Sequence, residues 1–231
     1  MHILFFLLLM NINPGSPPPG TVKLSETLYI DRSEVTNVDW REMLYWYKKH
    51  HGDTSSVYMQ LLPDSTRWRI PDVSYEEYFR HPRFQNHPVV CVSYEQVLVY
   101  CKWRSDRVNE AMYRKLNKIN VQEPLDYSKH TIPAYVSYRL PTPGEWEKAA
   151  AAGNSGSVFM SPLPGAAREK KENSRTLLHI SGNVSEMTSE KGVAKGCNYT
   201  MKEQEYNPAQ NISYDKPQTW LGFRCICETV E

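Results

Sequence analysis

Five cysteines, at positions 91, 101, 197, 225 and 227, are the side chains of this chain best equipped for chemistry. A thiolate can attack carbon or sulfur, hold a soft metal ion, or close a disulfide. The odd count leaves at least one thiol over after any pairing. A cysteine without a partner also reads as a small buried hydrophobe, and that is the plainer reading of Cys91, Cys197 and Cys227 beside a redox or copper role for Cys197 with Cys227. The seven histidines give no metal motif. His81 and His87 stand in a proline-flanked loop, and His50-His51 ends a helical stretch. Neither pair has the spacing that puts two imidazoles on one helical face, so solvated surface histidine is the reading. There is no glycine-rich phosphate loop and no Gly-x-Ser-x-Gly elbow.

The elements that must position these groups are short. Val22 to Ile30 alternates apolar and polar residues and predicts a strand. Thr36 with Asp39 forms a capping box, and Val35 with Trp40 a hydrophobic staple. The helix they open runs to about Lys49, burying Trp40, Met43, Leu44 and Tyr47. Ser93 with Gln96 opens a second helix towards Lys118, with Tyr94, Val97, Leu98 and Cys101 on its core face. Its charged later part, Arg104 to Lys118, reads as solvated. Residues 119–135 read as an insertion that ends in a strand near Ala134 to Tyr138. Thr142-Pro143-Gly144-Glu145 starts a third helix, with proline where its missing N–H costs nothing, and Gly153 stops it.

With 231 residues, 16 prolines, 15 tyrosines and 6 tryptophans, the chain suits a loop-rich body knitted by aromatics. A net charge of +1 gives no basic field for nucleic acid, so Arg32, Arg67 and Arg69 near Trp68 read as solvated surface. Ile3 to Met10 is too short for a membrane span and fits the apolar core of a signal peptide. Asn11 to Gly20 has linker composition. The expected organisation is a signal peptide and linker over 1–20, one domain over 21–231, and export to the periplasm or outer cell envelope. No cysteine near the cleavage region supports a lipid anchor. Asn183, Asn198 and Asn211 each begin a glycosylation sequon, which is incidental in a bacterial protein.

Ordered signatures add a resemblance. Tyr29 to Asn37, His87 to Tyr94 followed by Tyr100-Cys101-Lys102-Trp103, Tyr138 to Glu147, Gly182-Asn183-Val184-Ser185-Glu186-Met187-Thr188, Lys195-Gly196-Cys197-Asn198 and Leu221-Gly222-Phe223-Arg224-Cys225 together resemble the formylglycine-generating enzyme (sulfatase-modifying factor) family. The resemblance implies an α+β fold related to C-type lectins, loop-rich with short helices and strands. It also implies a disulfide between Cys101 and Cys225, worth in principle about 4–5 kcal/mol in the chain-entropy model, where two buried free thiols are the alternative. Calcium at the oxygens of Asn183, Val184 and Glu186 follows from the resemblance too, against a simple turn at that loop.

Catalytic members of the family hold Cu(I) with two cysteines placed after the segment matched here by Lys195 to Asn198. Between Asn198 and Trp220 there is no cysteine, so copper and catalytic residues are not expected. The expected function is a non-catalytic envelope binding or scaffold protein with a protein partner, closest to the gliding-motility and secretion-associated members of Bacteroidetes. Tyr199, Tyr206, Tyr214 and Trp220 form its candidate contact surface. A copper-dependent oxidase using a displaced cysteine pair and a lectin-like receptor are the alternatives.

Overall fold

The computed structural model describes residues 17–153, 156–168 and 176–230. The expected signal peptide lies outside them, apart from residues 17–20, which lead into the first strand. Among the described residues no helix is long and apolar enough to cross a membrane.

The predicted strand at 22–30 is a hairpin: β1 (Thr21–Lys23) and β2 (Leu28–Asp31) pair antiparallel, Val22 opposite Ile30. The intervening residues fold back, with the Leu24 N–H donating to the Leu28 carbonyl at 2.8 Å. Helix α1 (Asn37–His51) starts at the Thr36–Asp39 capping box and stops at Gly52, whose φ of 85° takes the chain out of the helix. A single turn, α2 (Ser56–Met59), and the short α3 (Tyr75–Arg80) follow. Helix α4 (Tyr94–Leu116) opens on the Ser93–Gln96 box. Then come β3 (Val136–Arg139) and α5 (Pro143–Ala151), the latter opened by the Thr142–Glu145 box. The remaining strands are β4 (Ser185–Met187), β5 (Val193–Lys195), β6 (Ile212–Ser213), β7 (Leu221–Gly222) and β8 (Ile226–Thr229).

These strands form two sheets. One has the order β1-β2-β8-β3 and is antiparallel throughout, so the last strand lies between the second and the third. The other has the order β6-β5-β4-β7, with β4 and β7 parallel. The outer edge of β3 is not left open. Asn109 Oδ1 on α4 accepts from the N–H groups of Tyr135 (3.0 Å) and Val136 (2.9 Å), its amide donates to the Val136 carbonyl, and Ser105 Oγ accepts from Tyr138 N–H. Side chains of a helix thus take the place of a neighbouring strand.

The charged second half of α4 is not solvated along its whole length. Val108, Asn109, Glu110, Met112 and Arg114 are buried: Val108 and Met112 join the main core, Asn109 faces β3, and the segment after the helix folds over Glu110 and Arg114. Arg114 donates to the carbonyls of Asn120 and Glu123, and Glu110 accepts from Arg107, Arg114 and Tyr127. Leu98, placed on the core face from its spacing, is 44% exposed, and Tyr47 is only partly buried.

The signatures meet in the core. Trp40 stacks on Tyr100 at 5.6 Å, and Phe223 meets both rings edge-on. The Val35 N–H donates to the Phe223 carbonyl and the Val35 carbonyl accepts from Val89 N–H, both at 2.9 Å. The fold is a mixed α+β body with short elements.

Candidate functional site

Where the sulfur atoms sit decides which chemistry is open. All five cysteines are free and buried. Cys101 on α4 and Cys225, just ahead of β8, have their Sγ atoms 3.8 Å apart. That is contact distance for two thiols, against about 2.05 Å in a disulfide. Burial pushes the Cys225 thiol well up, helped by its neighbour Cys101. Burial likewise pushes Cys91 and Cys227 up to about 12, and raises Cys197. Cys91 is held at a φ of 61°, with its carbonyl accepting from Asp64 N–H and its N–H donating to Gln218. Nucleophilic attack and soft-metal binding need thiolates, and these environments favour the neutral form.

A junction of charged groups lies beneath the Gly182–Thr188 signature. Arg224 and Glu186 are fully buried and paired: Arg224 Nε donates to Glu186 Oε2 at 2.6 Å and one terminal nitrogen to Oε1 at 2.5 Å. The remaining guanidinium donors reach the carbonyls of Asp31, Arg32 and Leu178. All five donors of the arginine are therefore used. Trp146 Nε1 donates to the same Glu186 carboxylate at 2.8 Å. Asn183, at a φ of 75°, accepts from Gly165 N–H through Oδ1 and donates to Glu34 Oε1 at 3.0 Å. Glu34 is fully buried, and desolvation, opposed by Arg224 and reinforced by Glu186, pushes its carboxyl up to about 8.

Two glycines make this packing possible. A Cβ on Gly222 would stand 2.8 Å from a Val184 methyl, and one on Gly196 would meet the Trp146 ring and the Ile180 carbonyl at about 3 Å. The two positions where the resemblance expects tryptophan carry Ser185, which donates to the Gly196 carbonyl and accepts from Asn198, and the fully buried Met187.

Calcium was expected at Asn183, Val184 and Glu186. As arranged, the two polar side chains do not fit a cation. The Asn183 oxygen faces an amide N–H, and the Glu186 carboxylate is matched by a guanidinium. Among the described residues no group of three or more His, Cys, Asp or Glu is placed to hold a metal.

The candidate contact surface needs a correction. Tyr199 is 3% exposed; its N–H is tied to the Asn183 carbonyl and its hydroxyl meets Thr219, so the ring turns inward and offers nothing to a partner. Tyr206, Tyr214 and Trp220 are partly buried. Tyr206 rests on the cluster around Trp146 and Ile180, and the other two lean on the main core, with the Tyr214 hydroxyl itself buried. Exposed residues, 203–205 and 207–211, flank Tyr206 on either side.

Of the three sequon asparagines, Asn183 and Asn198 are buried and Asn211 is exposed. His179 is not a solvated histidine. It is 8% exposed, at a φ of 57°, and burial lowers it to about 4. Sequence reasoning also missed Glu34 and Arg224 as partners of the Gly182–Thr188 loop. The one signal that could have found them was a pair of charged residues inside otherwise apolar signatures.

Comparison with known proteins follows this geometry. The model of the FGE-sulfatase family, the sulfatase-modifying factor enzyme 1-like domain, matches residues 8–162, more than half of the chain. Among solved structures, Treponema denticola variable protein 1 is similar at 19% identity and a TM-score of 0.52, over 94% of this chain and 90% of that one. PvdO from Pseudomonas aeruginosa is similar at 15% identity and a TM-score of 0.51, over 94% of this chain and 86% of that one. At these identities the likeness is one of fold. No curated protein matches the chain.

Proposed function

This chain belongs to the sulfatase-modifying factor enzyme 1-like domain family, and from that premise we propose that it is a non-catalytic binding or scaffold protein of the cell envelope, linked to gliding motility or protein secretion. One observation carries the reading. All five cysteines are buried, and the stretch from Asn198 to Trp220 supplies no cysteine pair. The apolar run Ile3 to Met10 supports export. The surface offered to an envelope protein partner is formed by the partly exposed rings of Tyr206, Tyr214 and Trp220 with the polar residues between them.

The test has two arms. Purified protein is supplied with Cu(I), oxygen and a cysteine-containing sulfatase peptide, and aldehyde formation is followed by mass spectrometry. No aldehyde is expected, and turnover would overturn the reading. In parallel, cross-linking in envelope preparations is compared between the wild-type chain and Tyr206→Ala/Trp220→Ala. The expected result is one defined envelope assembly that the double variant loses. Calcium gives a separate check. Because Glu186 is already matched by Arg224, millimolar Ca²⁺ is expected to leave the melting temperature unchanged. A rise of several degrees, abolished by Glu186→Gln, would reassign that carboxylate to a cation.

A further inference from the structure

We infer that Lys195 is the positioning residue of the proposed contact surface: its ammonium, sunk beneath residues 203–211, fastens that segment's turn to the second sheet and to α5. The functional meaning of this inference rests on the contact-surface reading above; its physics rests on the geometry around one nitrogen.

Lys195 ends β5, and its side chain is 1% exposed. An ammonium carries three N–H donors and no acceptor. Three acceptors meet it here: the Glu147 carboxylate at 2.5 Å, the Ala209 carbonyl at 3.0 Å and the Pro208 carbonyl at 3.4 Å. Glu147 comes from α5 and is itself 40% exposed. Two of the three acceptors thus belong to the surface segment, and one belongs to the scaffold.

A buried lysine charge is tolerated only when it is paired and hydrogen-bonded. The side chain can therefore occupy this place only while the 208–209 carbonyls are present, and the segment is held there in return. The segment has other holds, among them the Asn207 N–H on Cys197 and the Gln210 N–H on the Asn207 carbonyl. It has one short 3-10 turn at Glu203–Glu205, an Asn207 side chain that accepts from Ala209 N–H, the Tyr206 ring on the Trp146 cluster, and the Ala194–Ile212 pairing at its far end. An apolar residue at 195 would leave two loop carbonyls without a donor. Tyr206 lies two residues before the pinned carbonyls, so its placement is coupled to them, whereas Tyr214 beyond β6 is held separately by its N–H to the Gly192 carbonyl.

Hydrogen–deuterium exchange read by mass spectrometry tests this on the full chain. In Lys195→Met, which keeps an unbranched apolar stem and loses the charge, exchange over 203–211 is expected to rise about tenfold, the equivalent of one or two lost hydrogen bonds. In Lys195→Arg, which restores a buried cation with several donors, most of that protection is expected to return. Exchange in β2 and β8 is expected to stay at the wild-type level in both. An unchanged 203–211 segment, or an equal rise through both sheets, would overturn the inference by reducing Lys195 to an ordinary ion pair. Should Lys195→Met not fold, the wild-type lysine answers directly. Nitrogen-detected NMR of its ammonium is expected to show slow proton exchange and couplings to the Pro208 and Ala209 carbonyl carbons, and a rapidly exchanging ammonium without them would overturn the inference. None of these readouts involves a partner. A pinned segment on a protein that captures nothing would sink the contact-surface reading and leave this one standing.

Discussion

Arg224 shows how much can hang on one side chain. It is fully buried, its five donors are all used, and it faces both Glu186 and Glu34. Replacing it with methionine would keep much of the volume and strand a buried carboxylate. Removing one partner of a buried pair costs about 3–5 kcal/mol, so Arg224→Met is expected to unfold at far lower denaturant than the wild-type chain, or to fail to accumulate. A loss below about 1 kcal/mol in a urea titration would show that the pair is dispensable. Arg139 is the exposed counterpart. Its guanidinium holds the Glu145 carboxyl down to about 2. A carboxyl depressed in the folded state stabilises it above its unfolded pKa of 4.5 and loses that contribution as pH falls towards 2. Both groups are partly exposed, so solvent screening limits the effect to about 1 kcal/mol. Glu145→Gln keeps the capping box and removes the charge. The stability gap between it and the wild type, measured by chemical denaturation, is expected to be present near neutral pH and to close between about pH 4.5 and pH 2. A gap independent of pH would mean that the ion pair is not its source.

The elements divide into those that neighbouring residues specify and those that they do not. Thr36–Asp39, Ser93–Gln96 and Thr142–Glu145 are legible because a capping box is complete within four consecutive positions, and all three boxes form. Val35 and Trp40, which flank the first of these boxes, are both buried in the main core. The hairpin hidden in 22–30 was not, because a reversal after Leu24 needs no glycine or proline to announce it. The burial of Glu110 and Arg114 escapes a reading of local charge, since it depends on a polar segment folding back from residues 117–130. Tyr199 misled for a related reason: aromatic composition says nothing of which way a ring faces. The Arg224 junction gathers residues 34, 183, 186 and 224 from separate parts of the chain, so no window of sequence contains it. Edge protection by α4 gives a test at this level. Asn109→Ala removes the acceptor for the backbone N–H groups of Val136, the first residue of β3, and of Tyr135 just before it, and the loss is expected to be about 2 kcal/mol, with amide exchange rising first at Tyr135 and Val136. A loss within experimental error would mean that water replaces the asparagine freely.

At the scale of the whole molecule, Cys101 and Cys225 stand 124 positions apart and in contact. We expect oxidation to join them once the side chains turn by a rotamer. The chain-entropy model gives an upper figure of about 4–5 kcal/mol for such a loop. Under oxidising conditions Cys101→Ser is therefore expected to melt well below the wild type, and in reductant the two are expected to converge. Equal melting in both conditions, with all five thiols still titratable in the denatured, oxidised wild type rather than three, would show that the bridge does not form.

The position of β8 between β2 and β3 governs when this body can exist at all. A ribosome delivers β2, α1 and β3 long before it delivers Arg224 and the strand that joins them. Until then Glu186 lacks its guanidinium partner and the inner edges of that sheet have no native counterpart, and contacts of such long range form late. A nascent chain halted anywhere short of this stretch is a client for chaperones and proteases.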